Sequence, residues 1–470
     1  MTNPIADYYR SPEEFTGFSQ TKPLGNESGF FRLGEEVCYG RCAAVQPAQS
    51  PTKELRDCAP AIEAGDGCSI LPFDPCELVD NLRFERYVTR YADADHFAVF
   101  NSLVRRAYYL LRPALHVSVR KRIQKLHFRK WNNVAFPRWP VDRTVDGIME
   151  KLLLLAVKAN GGEPVPFIWF WPDAMSSAAI MTHDVETKSG RDFCDTLMDL
   201  DESFGVKSSF QLVPEVRYHV PSSLLERIRS RGFEVNVHDL NHDGGLFQDK
   251  EEFLRRAAKI NGYLKEFGAH GFRAAVMYRN QEWFDALDAS YDMSVPNSAH
   301  LDPQRGGCCT VMPYFNGNLV ELPVTTTQDY SLFNILNRYD IELWKEEIDL
   351  IKEKHGLLSF IIHPDYVIDQ RARASYASLL QHLAELRSNE NVWFALPREV
   401  NQWWRQRSQM QLVRRSQEWT IEGPGRDRAC IAYAYADGEH LRYSIEDAAT
   451  SRYPAAGAVA PERGANAISS

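Results

Sequence analysis

Gly232-Phe233-Glu234-Val235-Asn236-Val237-His238-Asp239-Leu240-Asn241-His242 is the stretch on which the reading of the fold turns. Phe233, Val235 and Val237 alternate with Glu234 and Asn236, the period of two expected of a β-strand. The run closes on His238, and His242 follows four positions later. If the chain turns helically there, residues i and i+4 lie side by side. Two imidazoles and one carboxylate would then leave open positions on a divalent ion. A lone His-x3-His is more often structural, so the pair gains meaning only from what surrounds it.

Outward from this stretch, short apolar runs and helical patterns alternate from residue 166 to residue 407. The runs at 178–182, 207–213, 233–237, 271–273, 319–324, 357–363 and 392–395 read as strands. Residues 222–230, 250–267, 283–289, 341–354 and 371–387 read as helices. Such alternation predicts an α/β fold whose parallel sheet is closed, or nearly closed, into a (β/α) barrel. Chemistry in barrels sits where strands end at their C-terminal side. Here those ends carry Thr182-His183-Asp184-Val185-Glu186, then His238 and His242, then Arg273, Asp292 after Tyr291, and His363 after Ile361-Ile362. Singly, each has a bland reading: a helix cap, a surface ion pair, a turn residue, a satisfied core histidine. Converging on one mouth, they form the parts of a metal-assisted amide or ester hydrolase. The metal polarises a carbonyl, a carboxylate takes a proton from water, and a separate histidine protonates the leaving amine.

In this order the motifs resemble those of the NodB-like polysaccharide deacetylases, carbohydrate esterase family 4. The first is the acidic pair in 182–186, the second the 232–242 stretch and the third opens with Arg273. The fourth is Tyr291-Asp292-Met293-Ser294 and the fifth is Ile361-Ile362-His363, with a last strand at 391–394 and a helix through Trp403-Trp404. The resemblance covers residues 166–407 and implies a distorted (β/α) barrel. It also implies roles. Asp184 would be the general base, His238, His242 and Glu186 the metal ligands, and Arg273 the group that orients Asp184. His363 would be the general acid, with Asp292 tuning it. Four features depart from the pattern. Asp184 and Glu186 are not adjacent aspartates and could exchange roles, so Asp184 stands as an alternative metal ligand. Asp239 stands where Ser or Thr is usual, the third motif reads Arg273-Ala274-Ala275 without its proline, and the fourth motif lacks its tryptophan. His183 precedes the base and could join the metal shell.

The remainder of the 470-residue chain is read more coarsely. Residues 1–80 form an irregular region containing five of the nine cysteines, with short strands at 29–33 and 36–39. No CxxC pair occurs, and reduced thiols are expected. Residues 81–165 read as helical. Within them 103–131 holds nine Lys or Arg and no Asp or Glu, with apolar residues interleaved, which suits an anionic membrane surface. Pro113 should divide that stretch into two helices. Residues 408–446 read as a small β-meander and 447–470 as a disordered tail. A net charge of −9 gives no nucleic-acid footprint. The first residues show no basic and apolar leader, and no apolar run spans a bilayer, so a cytoplasmic protein, peripheral to a membrane through 103–131, is the expectation. Two classes of function follow. One is metal-dependent hydrolysis of an N-acetyl or other N-acyl group on a sugar or glycan precursor, in exopolysaccharide or glycolipid synthesis, with zinc the expected ion. A C–N hydrolase acting on a non-sugar amide is a variant of it. The other is a non-catalytic glycan-binding or assembly protein on the same barrel. Oligomeric state is not legible.

Overall fold

The structure is a computed structural model describing residues 3–21, 23–65, 68–88, 128, 131–416 and 418–446. The basic stretch 103–131, Phe128 and Trp131 excepted, and the tail 447–470 lie outside the described residues. The centre is a nine-stranded sheet. Its strands are β1 Ser177–Val185, β2 Ser209–Leu212, β3 Glu234–His238, β4 Gly271–Arg273, β5 Tyr291–Asp292, β6 Tyr314–Asn316, β7 Leu319–Glu321, β8 Leu357–Ile362 and β9 Val392–Phe394. The order is β6-β7-β5-β4-β3-β2-β1-β8, and all neighbours are parallel except β6 and β7. β1 is long enough to serve two strands on one edge: Ser177 to Ala179 pair with β9, and Thr182 to Val185 pair with β2.

The sheet curls into a barrel whose last seam has no ladder of its own. Between β8 and the chain after β7, side chains do the bridging. Thr325 Oγ1 donates to Leu357 O (2.7 Å) and accepts from Ser359 N (2.9 Å), and Thr326 Oγ1 donates to Ser359 O (2.8 Å). Further up, Asp329 Oδ2 accepts from His363 N (2.8 Å). β7 is therefore shorter than the 319–324 run predicts. Beyond Glu321 the pairing reduces to Leu322 N donating to Asp292 O and an isolated bridge between Val324 and Pro296.

Helices α1 Lys188–Ser203, α2 Ser222–Ser230, α3 Lys250–Glu266, α4 Glu342–Lys352, α5 Gln370–Asn389 and α6 Pro397–Ser408 accompany the sheet. Strand alternation divides the core. Val235, Val237, Phe210, Phe360 and Ile362 pack outward against Leu197, Ile228, Ile260 and Leu379 of the helices. Ala178, Ile180, Tyr291, Val320 and Leu357 belong instead to a cluster that continues through Trp403 and Trp404 into Ile5, Phe30, Leu78 and Leu152. The region before the barrel thus shares the barrel's hydrophobic core. That region contains the expected hairpin, Gly29–Leu33 with Glu36–Gly40, and the helix Thr144–Ala159. The strand Val165–Ile168 pairs with Ile431–Asp437 of the C-terminal hairpin, so both flanks of the barrel meet on one small sheet. The helix expected at 283–289 is instead a 3-10 segment, Gln281–Ala286, capped by the Asn280 side chain, which accepts from Glu282 N. Every described cysteine is free.

Candidate metal and catalytic site

Period-two geometry decides which residues of Thr182-His183-Asp184 face the mouth. Thr182 and Asp184 point inward, where Arg273, at the end of β4, reaches both. Its Nη1 donates to Asp184 Oδ1 at 3.0 Å and to Thr182 Oγ1 at 2.9 Å, and its Nε donates to Met293 O. His183 points the other way. Its ring is wholly buried on the helix side, 2.9 Å from Asp201 of α1 through Nε2 and 3.2 Å from Ile362 O through Nδ1. It lies outside the metal cluster, which corrects the expectation that it could join that shell.

His238 ends β3 and donates from Nδ1 to Arg273 O at 3.1 Å, which leaves the Nε2 lone pair free for the mouth. The turn after it is not helical, contrary to the expected i, i+4 arrangement. Asp239 and His242 both hold left-handed backbone, at φ 55° each. Asp239 stays there because its N donates to Arg273 O (2.8 Å) and its Oδ1 accepts from Leu240 N (2.6 Å). This strained turn brings the rings of His238 and His242 to 4.9 Å between centroids. Glu186, just past β1, completes the group: its Oε1 is 2.8 Å from His242 Nε2 and 3.8 Å from His238 Nε2. The ligand atoms of Glu186, His238 and His242 all lie within 4.8 Å of one another. Neither Nε2 has an aligned hydrogen-bond partner although both are buried. Two orphaned imidazole nitrogens facing a carboxylate fit a divalent cation, and the donor set suits zinc among others. Asp184 Oδ2 is 3.8 Å from His238 Nε2, but Arg273 already holds the other oxygen of that carboxylate.

His363 stands across from this group, with Nε2 3.4 Å from Glu186 Oε1. Its orienting partner is Asp329, not Asp292. His363 Nδ1 donates to Asp329 Oδ1 at 2.7 Å, so the ring is gripped from ring and backbone by one carboxylate. Asp292 sits behind Arg273, where its two oxygens accept from Ser294 N and Oγ, both at 2.7 Å, and where it pairs with the buried Glu321. Burial and Asp292 push the Glu321 carboxyl well up, so Glu321 carries the proton of that pair. Asp292 therefore braces the arginine region and does not tune His363. Sequence reading also missed Arg217, whose Nη2 donates to His242 Nδ1 (3.0 Å) and His242 O (2.7 Å).

The electrostatics assign opposite protonation states. Burial works against ionised Asp184, but the Arg273 guanidinium overrides it and holds the carboxyl below its ordinary value. Burial works against a charged His363, and Asp329 overrides that, lifting the imidazole well above its ordinary value. A carboxylate held in its ionised form and an imidazole held in its protonated form thus flank one candidate cation site.

No family profile matches the chain, and no curated protein does. Solved structures show likeness over about half of it. One is a Mycobacterium smegmatis protein assigned as a polysaccharide deacetylase, 19% identical over 51% of this chain and 93% of its own, TM-score 0.42. Another is the allantoinase PuuE, 12% identical over 50% and 92%, TM-score 0.38. A third is the peptidoglycan deacetylase PdaC from Bacillus subtilis, 11% identical over 49% and 93%, TM-score 0.30.

Proposed function

We propose that this chain hydrolyses an N-acetyl or other N-acyl group from a sugar or glycan precursor, with a divalent cation, zinc by preference, held by Glu186, His238 and His242. One observation carries the reading: the three ligand atoms converge within 4.8 Å between an arginine-clamped aspartate and an aspartate-gripped histidine. A cation there supplies Lewis acidity toward the amide carbonyl and toward water. Asp184 accepts the proton of the attacking water, and Arg273 fixes which of its oxygens is available. The water oxygen adds to the carbonyl carbon, the C–N bond breaks, and His363 gives its Nε2 proton to the departing nitrogen, since an amine leaves poorly without one. Acetate and a free amine result.

The test is acetate release from N-acetylglucosamine oligomers by purified protein of known metal content. Metal-dependent release supports the reading. A protein that carries the metal and binds oligomer yet releases nothing would establish the non-catalytic alternative. Among the described residues no helix is long and apolar enough to cross a membrane. The nine bases of 103–131 support a substrate or surface that is anionic, such as a lipid-linked sugar in its bilayer. Salt-sensitive sedimentation with anionic vesicles checks that part separately.

A further inference from the structure

The two candidate ligand histidines are held by opposite kinds of partner. His238 Nδ1 faces a carbonyl, Arg273 O at 3.1 Å, and a carbonyl only accepts. That ring therefore carries its hydrogen on Nδ1 and keeps the Nε2 lone pair. His242 Nδ1 faces Arg217 Nη2 at 3.0 Å, and a guanidinium only donates. Nδ1 must then offer its lone pair, so the hydrogen of the neutral ring falls on Nε2, 2.8 Å from Glu186 Oε1. A protonated Nε2 has no lone pair for a cation. The same Nη2 donates to His242 O at 2.7 Å, so both of its hydrogens go to one residue. The loop after β2 is shaped to put Arg217 there. Glu215 N donates to Leu240 O at 2.9 Å, on the turn that carries His242, and Tyr218 OH donates to Val185 O, beside Glu186. Between these anchors Val216 holds left-handed backbone, φ 72°, with its side chain in solvent. A β-branched residue stays in that region only where its surroundings enforce it. Arg217 itself is half-buried at the rim, so its guanidinium can turn to solvent without opening the core.

We propose that Arg217 competes with the divalent cation for His242. The inference rests on Glu186, His238 and His242 being the metal site, and is independent of which bond is hydrolysed. Without metal, Arg217 holds the ring in the form that cannot ligate. For Nε2 to become a ligand, its proton leaves to solvent and one is taken up at Nδ1, with no net release. Nδ1–H then repels a second donor, and the guanidinium gives up that contact while keeping His242 O. A ligand histidine is ordinarily backed by a carbonyl or carboxylate that strengthens it, as Arg273 O backs His238. Arg217 does the reverse to His242. It is a positioning residue that weakens the hold on the ion and makes the ion exchangeable.

The experiment measures zinc affinity by chelator competition on metal-stripped, full-length protein. Arg217→Met should bind zinc about tenfold more tightly than wild type, and Arg217→Lys, which keeps a cationic donor, should stay near wild type. Equal binding in Arg217→Met overturns the proposal. Weaker binding overturns it too, being the mark of an arginine that merely supports its ligand. Ring nitrogen NMR spectra of metal-free wild type, with His242 assigned through His242→Gln, should show the proton on Nε2, moving to Nδ1 when zinc is added. A proton on Nδ1 before zinc overturns the competition even if Arg217→Met binds more tightly, since only charge repulsion would then remain. If melting temperature shows that Arg217→Met has failed to fold, the wild-type ring spectrum decides. Zinc uptake by neither wild type nor Arg217→Met overturns the metal reading itself, and this inference with it. Uptake by both with equal affinity overturns this inference alone.

Discussion

His363 illustrates how one carboxylate sets the state of a candidate acid. Asp329 takes both its ring N–H and its backbone N–H. Burial alone would favour the neutral ring, and Asp329 reverses that. A raised value means that the proton persists to higher pH. The alkaline limb of kcat/KM should therefore lie above the ordinary histidine range, and Asp329→Asn should move it down by about a unit or more. An unmoved limb would show that another group titrates there. His363→Ala should cost ~10²–10⁴ in rate and leave metal content intact. His238→Ala should instead empty the site while the melting temperature holds within a few degrees, and full metal occupancy in that variant excludes it as a ligand. Most of this cluster is legible in the sequence because strand ends carry the acidic pair, the two histidines, Arg273 and His363 in order. Asp329 is not. It lies 34 residues before His363, on irregular chain after β7, where nothing in spacing or composition singles it out. Arg217 likewise reaches His242 only through a loop whose course has no periodic signal.

At the scale of elements, β1 divides its residues between two environments. His183 on the outer face joins Asp201, which also accepts from Ser208 Oγ (2.7 Å) and Tyr376 OH (2.6 Å). Removing the ring leaves a fully buried carboxylate one partner short. His183→Ala should lose ~2–4 kcal/mol in chemical denaturation, from the unpaired group and the cavity together. Its metal content should match wild type, and loss of metal would return His183 to the site. The strands themselves are readable from alternation and from their polar ends. α1 is harder to read because it buries a narrow stripe, Cys194, Leu197, Met198 and the polar Asp201, so its apolar period is thin. The 283–289 pattern misleads for a different reason. Trp283, Phe284 and Leu287 are apolar at helical spacing, yet Phe284 anchors a small cluster with Val295, Cys308, Tyr314 and Leu319 that a tight 3-10 segment satisfies.

Across the whole molecule, the region before the barrel is structural to it. One hydrophobic cluster runs from Ile5 through Leu152 to Trp404, and Glu85 forms a buried ion pair with Arg279, at 2.7 Å through Nε, while also accepting from Gly307 N. A fragment starting at residue 166 should consequently aggregate or melt well below the full chain in a thermal scan. A fragment as stable as the full chain would show that the shared core is dispensable. The side-chain seam has its own consequence, in the currency of amide exchange. A backbone ladder shields its amides as a cooperative row. On the open edge of β8, Ser359 N and His363 N are shielded instead by a hydroxyl and a carboxylate borne on one loop. Those two amides should take up deuterium together whenever that loop lifts, ahead of the β1 side of the same strand. The same loop steadies the His363 ring, so any ligand that holds the loop down would slow both at once. The barrel is thus built with a slit, and the state of the loop that closes it can be read from the inside of the sheet without following the reaction at all.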